Sequence, residues 1–395
     1  MLKTQVGYST NIDSYTKGLE TANMSLNEMT DTKLGLVFTS CNDNIEEIIK
    51  GIREVSNVPI IGGTSSGGVL VNDGIIASPN GFASMMSLSD PELTVGVAIH
   101  EASNHPRSVG RKVAMEAVEN AKTTRAPSYF MMIASPKDEE EYLLGIQDVI
   151  GRVPLFGGSV SDDEIDGNWR LFCNDKVITD GVAVAFFYTD NEISTSFTGA
   201  YRETEKVGII TKVENDRTLV EIDHVGALNR YAKWSKKLPS KLMGKKLWEE
   251  SITKPLGIKS PTGNITVIRQ PKFGDNRGTK TYTDDAIELS NKIVENTAIV
   301  CLEATLDELI YGVGDTMKDL KTKMYGESAG YILFHSAGRK KKLDSRLSEI
   351  HSEILKETKN TPFIVAFTLS EYGYDEHSAN LCGGSMLSFT ALGKE

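Results

Sequence analysis

Three stretches of the chain repeat one order of apolar and polar positions. Each opens on a continuous apolar run: LGLVFTS from Leu34 to Ser40, YFMMIAS from Tyr129 to Ser135, and YILFHS from Tyr331 to Ser336. Runs of this length, bounded by turn residues, read as strands buried on both faces. Apolar positions at helical spacing follow, with Ile45, Ile48, Ile49 and Ile52 in the first copy and Leu143, Leu144, Ile146 and Ile150 in the second. A proline then leads a second apolar run into a small-residue loop: Pro59 before IIGGTSSGG, Pro154 before LFGGSVSDD, Pro362 before FIVAFTLSEYG. Last comes a glycine-led run, at Gly81, Gly181 and Gly384, which suits a further strand of the same sheet. Ser40 to Pro59 and Ser135 to Pro154 each span 19 residues, and Ser336 to Pro362 spans 26. This spacing predicts a right-handed βαβ crossover with parallel pairing. A helix is also predicted before each copy, as at Val109, Val113, Ala114, Ala117, Val118 and Ala121.

The fold class is therefore α/β: three related βαβ-type repeats, with mostly parallel or mixed sheets, forming two associated domains. Pro59 and Pro154 are 95 residues apart and Pro154 and Pro362 are 208 apart, so an insertion lies between copies two and three. It opens with the alternating VGIITKVENDRTLVEI, a hairpin turning at Asn215-Asp216. ALNRYAKWSKKL follows as a helix with Trp234 on its apolar face, and ITVIRQPKFGD as a strand and turn. The expected domains are 1–222, holding two copies, and 223–395, holding the insertion and the third copy.

Composition narrows the function. With 39% hydrophobic and 25% charged residues the chain is an ordinary globular protein, and its net charge of −11 argues against nucleic-acid binding, which needs clustered cations. The run Arg339-Lys340-Lys341-Lys342 reads as a solvated helix start. Cys41, Cys173, Cys301 and Cys382 have no CxxC spacing, which removes the usual zinc and redox-pair signatures. No apolar run reaches the ~18 residues of a membrane span, and MLKTQVGYSTNID lacks a signal-peptide core. A cytoplasmic protein without membrane contact is expected.

The paired loops VPIIGGTSSGG and VPLFGGSVSDD, the GALNRY segment of the insertion, and the span from SAGRKKKL to SEYG together resemble the FIST proteins. That resemblance covers nearly the whole chain. It implies an N-terminal and a C-terminal FIST domain forming a sensory module for small ligands. No cofactor is expected from the residues themselves; some relatives bind haem and sense nitric oxide with a partner histidine kinase, so the resemblance makes haem the alternative, one that needs a ligand residue here. The chain departs from the family pattern at His335, where a cysteine is common, at Gly383-Gly384, where a His-Asn pair is common, and at Ser370-Glu371 in place of Gly-Glu.

Candidate chemistry sits in the loops. Gly63, Thr64, Ser65, Ser66 and Gly67 offer N–H donors and hydroxyls that suit a carboxylate or phosphate, or else a tight turn needing glycine. Gly158, Ser159, Ser161, Asp162 and Asp163 repeat the scheme with two carboxylates, which would receive an amino group or simply face solvent. Arg339, with its planar fork of donors, either recognises an anion or pairs with Glu371, and Tyr372 and Tyr374 either line a pocket or are ordinary exposed loop tyrosines. His100, His335 and His377 are the histidines a haem would need; each is otherwise structural. No GxSxG or HExxH signature marks an enzyme. The expectation is a non-enzymatic sensor of an amino acid or another small anionic metabolite, bound where the three loops meet between the domains. A haem-based gas sensor and an uncharacterised enzyme are the alternatives. With Glu395 directly after the last predicted strand, the signal is expected to leave through a partner protein.

Overall fold

Each of the three apolar runs is the central strand of a six-stranded sheet: Thr32–Thr39, Tyr129–Ala134 and Ser328–Ser336. The computed structural model describes residues 1–275, 285–376 and 379–395. Every central strand pairs in parallel with its proline-led strand, Ile60–Thr64, Leu155–Ser159 or Phe363–Thr368. On its other side it pairs antiparallel with the glycine-led return strand, Ala83–Ser89, Gly181–Tyr188 or Leu387–Gly393. A leading strand closes that edge: Lys3–Ser9, Thr94–Glu101 or Ile193–Thr198. The crossover helices are Ile45–Val55, Glu139–Ile150 and Leu347–Thr358. The third crossover is longer because it also holds the short helix Ala337–Lys342. Helices Ser14–Leu26, Pro106–Ala121 and Leu306–Thr322 precede the central strands.

The far edge of each sheet is filled by another unit. Past its glycine loop, the first unit sends the hairpin Val69–Val71 and Gly74–Ile76 onto the third unit's strand Phe363–Thr368. Hairpin Leu171–Cys173 with Lys176–Ile178 of the second unit completes the first sheet beside Ile60–Thr64. Hairpin Glu371–Tyr374 with Asn380–Gly383 of the third completes the second beside Leu155–Ser159. The exchange is cyclic, so the three sheets form a closed ring. Their inner faces share one apolar core, to which Phe38, Ile61, Met131, Phe156, Phe334 and Ile364 contribute. Phe38 and Phe334 meet edge to face at 5.8 Å. Burying each such side chain is worth about 1.5–3 kcal/mol, against about 0–1 for an exposed ion pair, so this shared core holds the ring together. Helices cover the outer face of each sheet.

The insertion builds a fourth, eight-stranded sheet with its own core. Its long hairpin, Arg202–Glu214 with Thr218–Ile222, turns at Asn215 and Asp216, both with positive φ (50° and 58°) as a tight hairpin turn demands. Helix Ala227–Ser235 buries Trp234. Arg217, beyond the turn, reaches back to the ring and pairs with Glu139 (3.1 Å) and Glu140 (2.6 Å). Among the described residues no helix is long and apolar enough to cross a membrane.

Candidate ligand site

The three small-residue loops end together, and they bind one another. Ser161 N–H donates to the Thr64 carbonyl (3.2 Å), Ser66 N–H to the Phe367 carbonyl (3.2 Å), and Ser159 N–H to the Ser370 carbonyl (2.7 Å). Ser65 Oγ accepts from Phe367 N–H at 2.9 Å. Ser161 Oγ donates to the Phe367 carbonyl and accepts from Ser66 N–H. Thr64, Ser65, Ser66, Ser159 and Ser161 are all buried by these contacts. Gly67 supplies the turn with φ +61°, and a Cβ there would come within 2.5 Å of Lys340 Nζ. Gly63 and Gly158 have no room either: a Cβ would meet Val160 and Thr368 respectively.

Both carboxylates of the second loop are engaged by backbone. Asp162 accepts from the N–H groups of Ile165, Gly167 (2.8 Å) and Asn168 (2.6 Å), caging itself in its own loop. Asp163 accepts from Gly67 N–H at 2.6 Å, tying the second loop to the first. Ser159 Oγ lies 2.6 Å from the Tyr372 hydroxyl and 3.1 Å from Glu139 Oε1, all three buried.

A charged side chain largely out of solvent follows each central strand: partly buried Asp43 after Ser40, and fully buried Glu139 after Ser135 and Arg339 after Ser336. Asp43 pairs with Lys17 and Glu139 with Arg217. Arg339 pairs with no carboxylate among the described residues. Its Nη1 donates to the Gly199 carbonyl (3.1 Å) and its Nη2 to that of Leu309 (3.0 Å), while the guanidinium lies 5.6 Å from the Tyr201 ring centre. Burial draws its pKa below the usual arginine range. Glu371, the partner weighed from sequence, instead accepts from Thr368 Oγ1 (2.9 Å) and Met386 N–H (2.7 Å), and burial raises its pKa well above the carboxylate range. Both residues are fully enclosed, so Arg339 clamps backbone carbonyls rather than facing a ligand.

His335 is also enclosed. Its Nδ1–H donates to the Ser336 carbonyl at 3.1 Å, its Nε2 has no partner, and burial, then the Arg339 charge, lowers its pKa to about 3. His100 pairs with Glu116 on the surface at 2.7 Å. His377 lies outside the described residues. Neither His100 nor His335 lines the cavities described below.

Two open spaces border the insertion. One cavity, of about 590 Å³, is walled by Glu164 and Ile165 of the second loop, by Lys341, and by the insertion between Lys237 and Glu250. Five lysines line it: Lys237, Lys241, Lys245, Lys246 and Lys341. Lys237 is paired with Glu250 and Lys341 with Glu164, whereas among the described residues Lys241, Lys245 and Lys246 make no ion pair. Burial, then the charges of Lys254 and Lys342, holds the Lys237 ammonium below the usual lysine range. Leu238, Leu247, Ile165 and Trp248 supply apolar wall. The signal in the sequence is KWSKKLPSKLMGKK, six lysines in 14 residues of an acidic chain, which the apolar periodicity hides. A second cleft, of about 680 Å³, lies between the insertion, helix Leu306–Thr322 and the segment Thr195 to Arg202.

No curated protein matches the sequence. Solved structures similar in outline are cyanuric acid hydrolase from A. caulinodans (9% identity, TM-score 0.34, spanning 100% of both chains) and another cyanuric acid hydrolase, described as innovation by structural concatenation (10%, 0.32, 99% of this chain and 100% of that one). A third is PurLQS from Thermotoga maritima (8%, 0.25, 100% of this chain and 72% of that one). The FIST N domain matches residues 33–225 and the FIST C domain residues 227–374. FIST domains are associated with small-ligand sensing in signal transduction, and this chain belongs to the FIST family.

Proposed function

We propose that the protein is a cytoplasmic sensor of a small anionic metabolite with an apolar or aromatic part, taken up in the lysine-lined cavity. One observation carries this reading: five lysines and Trp248 converge on a single cavity in a protein of net charge −11. At about 590 Å³ it has the size of a metabolite pocket, and unpaired ammonium groups above an apolar wall select a negative group on an apolar body. An amino acid with a large side chain is within this class. The walls come from two bodies, the ring through Ile165 and Lys341 and the insertion through Lys237 to Glu250. A ligand bridging them favours one seating of the insertion, and a partner such as a histidine kinase reads that seating.

Native mass spectrometry of freshly purified protein, with release and identification of the bound species, tests the reading. An anionic ligand lost in Lys245→Glu supports it. A cationic ligand, or a Soret band in the absorption spectrum of the purified protein, overturns it.

A further inference from the structure

The 680 Å³ cleft differs from the lysine cavity in its polar groups. Eight hydroxyl-bearing residues line it, three of them tyrosines, where the lysine cavity has none. Its charges are already matched: Arg202 Nε donates to Glu308 at 2.8 Å, Lys323 Nζ to Asp319 at 2.6 Å, and Lys318 to Asp315 at 3.0 Å. The cleft therefore presents no free charge to a ligand.

Several of its hydroxyls donate into the protein. Ser196 donates to Asp319 (2.7 Å), Thr316 to the Gly312 carbonyl (2.6 Å) and Tyr201 to the Ile252 carbonyl (2.7 Å). A hydroxyl that has given its proton still has a lone pair to offer, so the lining is rich in acceptors. A ligand that satisfies it must bring many donors without a net charge. The floor is apolar, formed by Phe197, Ile265, Ile268 and Leu302. At the rim Tyr311 stands 55% exposed on helix Leu306–Thr322, a flat ring with little to pack against.

From this we infer that the cleft is a second ligand site, taking a neutral polyhydroxylated molecule of mono- or disaccharide size. Such a molecule has hydroxyl donors around its edge and a C–H face that stacks on an aromatic ring, matching the acceptors, the floor and Tyr311. A phosphate or carboxylate ligand would have to break the pairs of Arg202 and Lys323. A purely apolar one would leave the hydroxyls desolvated and unbonded, which is costly.

Calorimetric titration with maltose, glucose and myo-inositol, and with glutamate and putrescine as charged controls, tests the assignment. At least one neutral probe binds saturably, and Tyr311→Ala and Asn264→Ala, both at exposed positions of the cleft lining, each weaken it by about tenfold with unchanged melting temperature. Trp248→Ala and Lys245→Glu, in the other cavity, leave it within about twofold. The assignment fails if none of the three neutral probes saturates, if glutamate or putrescine binds better, or if Tyr311→Ala binds as wild type does.

Discussion

The Ser161 hydroxyl donates to the Phe367 carbonyl at 2.6 Å, joining the second unit to the third at the point where Ser66 N–H arrives from the first (3.0 Å). One side-chain oxygen thus stitches three units of the ring.

Ser161→Ala removes two buried hydrogen bonds, leaving Ser66 N–H and the Phe367 carbonyl only the 3.2 Å bond they make to each other. We expect a loss of about 1–3 kcal/mol of stability in urea unfolding. Affinity of the lysine cavity for the fluorescent anion 8-anilinonaphthalene-1-sulfonate should not change. A weakened affinity at equal stability would place Ser161 in the ligand site.

Arg339→Lys tests the clamp. Lysine keeps the charge but cannot reach the carbonyls of Gly199 and Leu309 together, which are fixed on separate segments. Stability should fall by roughly 2–4 kcal/mol, as charge-assisted bonds are worth about 1.5–3 each. Probe binding in the lysine cavity should stay within about twofold. If stability is unchanged and anion binding is lost instead, Arg339 recognises the ligand.

The pH dependence follows from His335. Its pKa is lowered from 6.5 to about 3 in the folded protein, so between those values the unfolded chain binds a proton that the folded one excludes. Stability from this group is full above about pH 6.5 and falls with acidification, at about 1.4 kcal/mol per pH unit within that window. Glu371, whose pKa is raised, has the opposite sign: its contribution is present in acid and lost as the pH rises through its folded value. Urea unfolding at about pH 5 and pH 7 should therefore show a steeper acid loss in wild type than in His335→Asn. Equal slopes would mean that His335 is charged, or reached by water, in the folded state.

In the lysine cavity, Lys245→Glu combined with Lys246→Glu should weaken the same anionic probe by at least about tenfold, and added salt should weaken binding to wild type far more than to the double variant. Binding to wild type that does not respond to salt would show that the apolar wall alone holds the probe.

Local order was legible where it depends on neighbours in sequence. The apolar runs, the helical spacing at Ile45 to Ile52 and the Asn215-Asp216 turn each carry their own signal, and all appear as read. The partner of Val69–Val71 did not, because nothing in that segment distinguishes its own sheet from one completed by Phe363–Thr368. The loops were rightly placed at one point, yet their hydroxyls and carboxylates face each other, since three ends arriving at one place must satisfy their backbone groups there. From sequence, Arg339 recognises an anion or pairs with Glu371, within a basic run that reads as a solvated helix start; it is buried in the first turn of that helix, while Lys341 of the same helix lines the cavity.

The borrowed hairpins set a timetable for synthesis. Val71, near the start of the chain, has its permanent neighbour in Ile364, 293 residues later. At ribosomal speeds of about 5–20 residues per second, the first hairpin waits roughly 15–60 s with its edge unpaired. The second unit waits likewise for Glu371 to meet Gly158. A nascent chain of this protein therefore carries open strand edges until it is nearly finished, and chaperones that shield such edges will govern its yield.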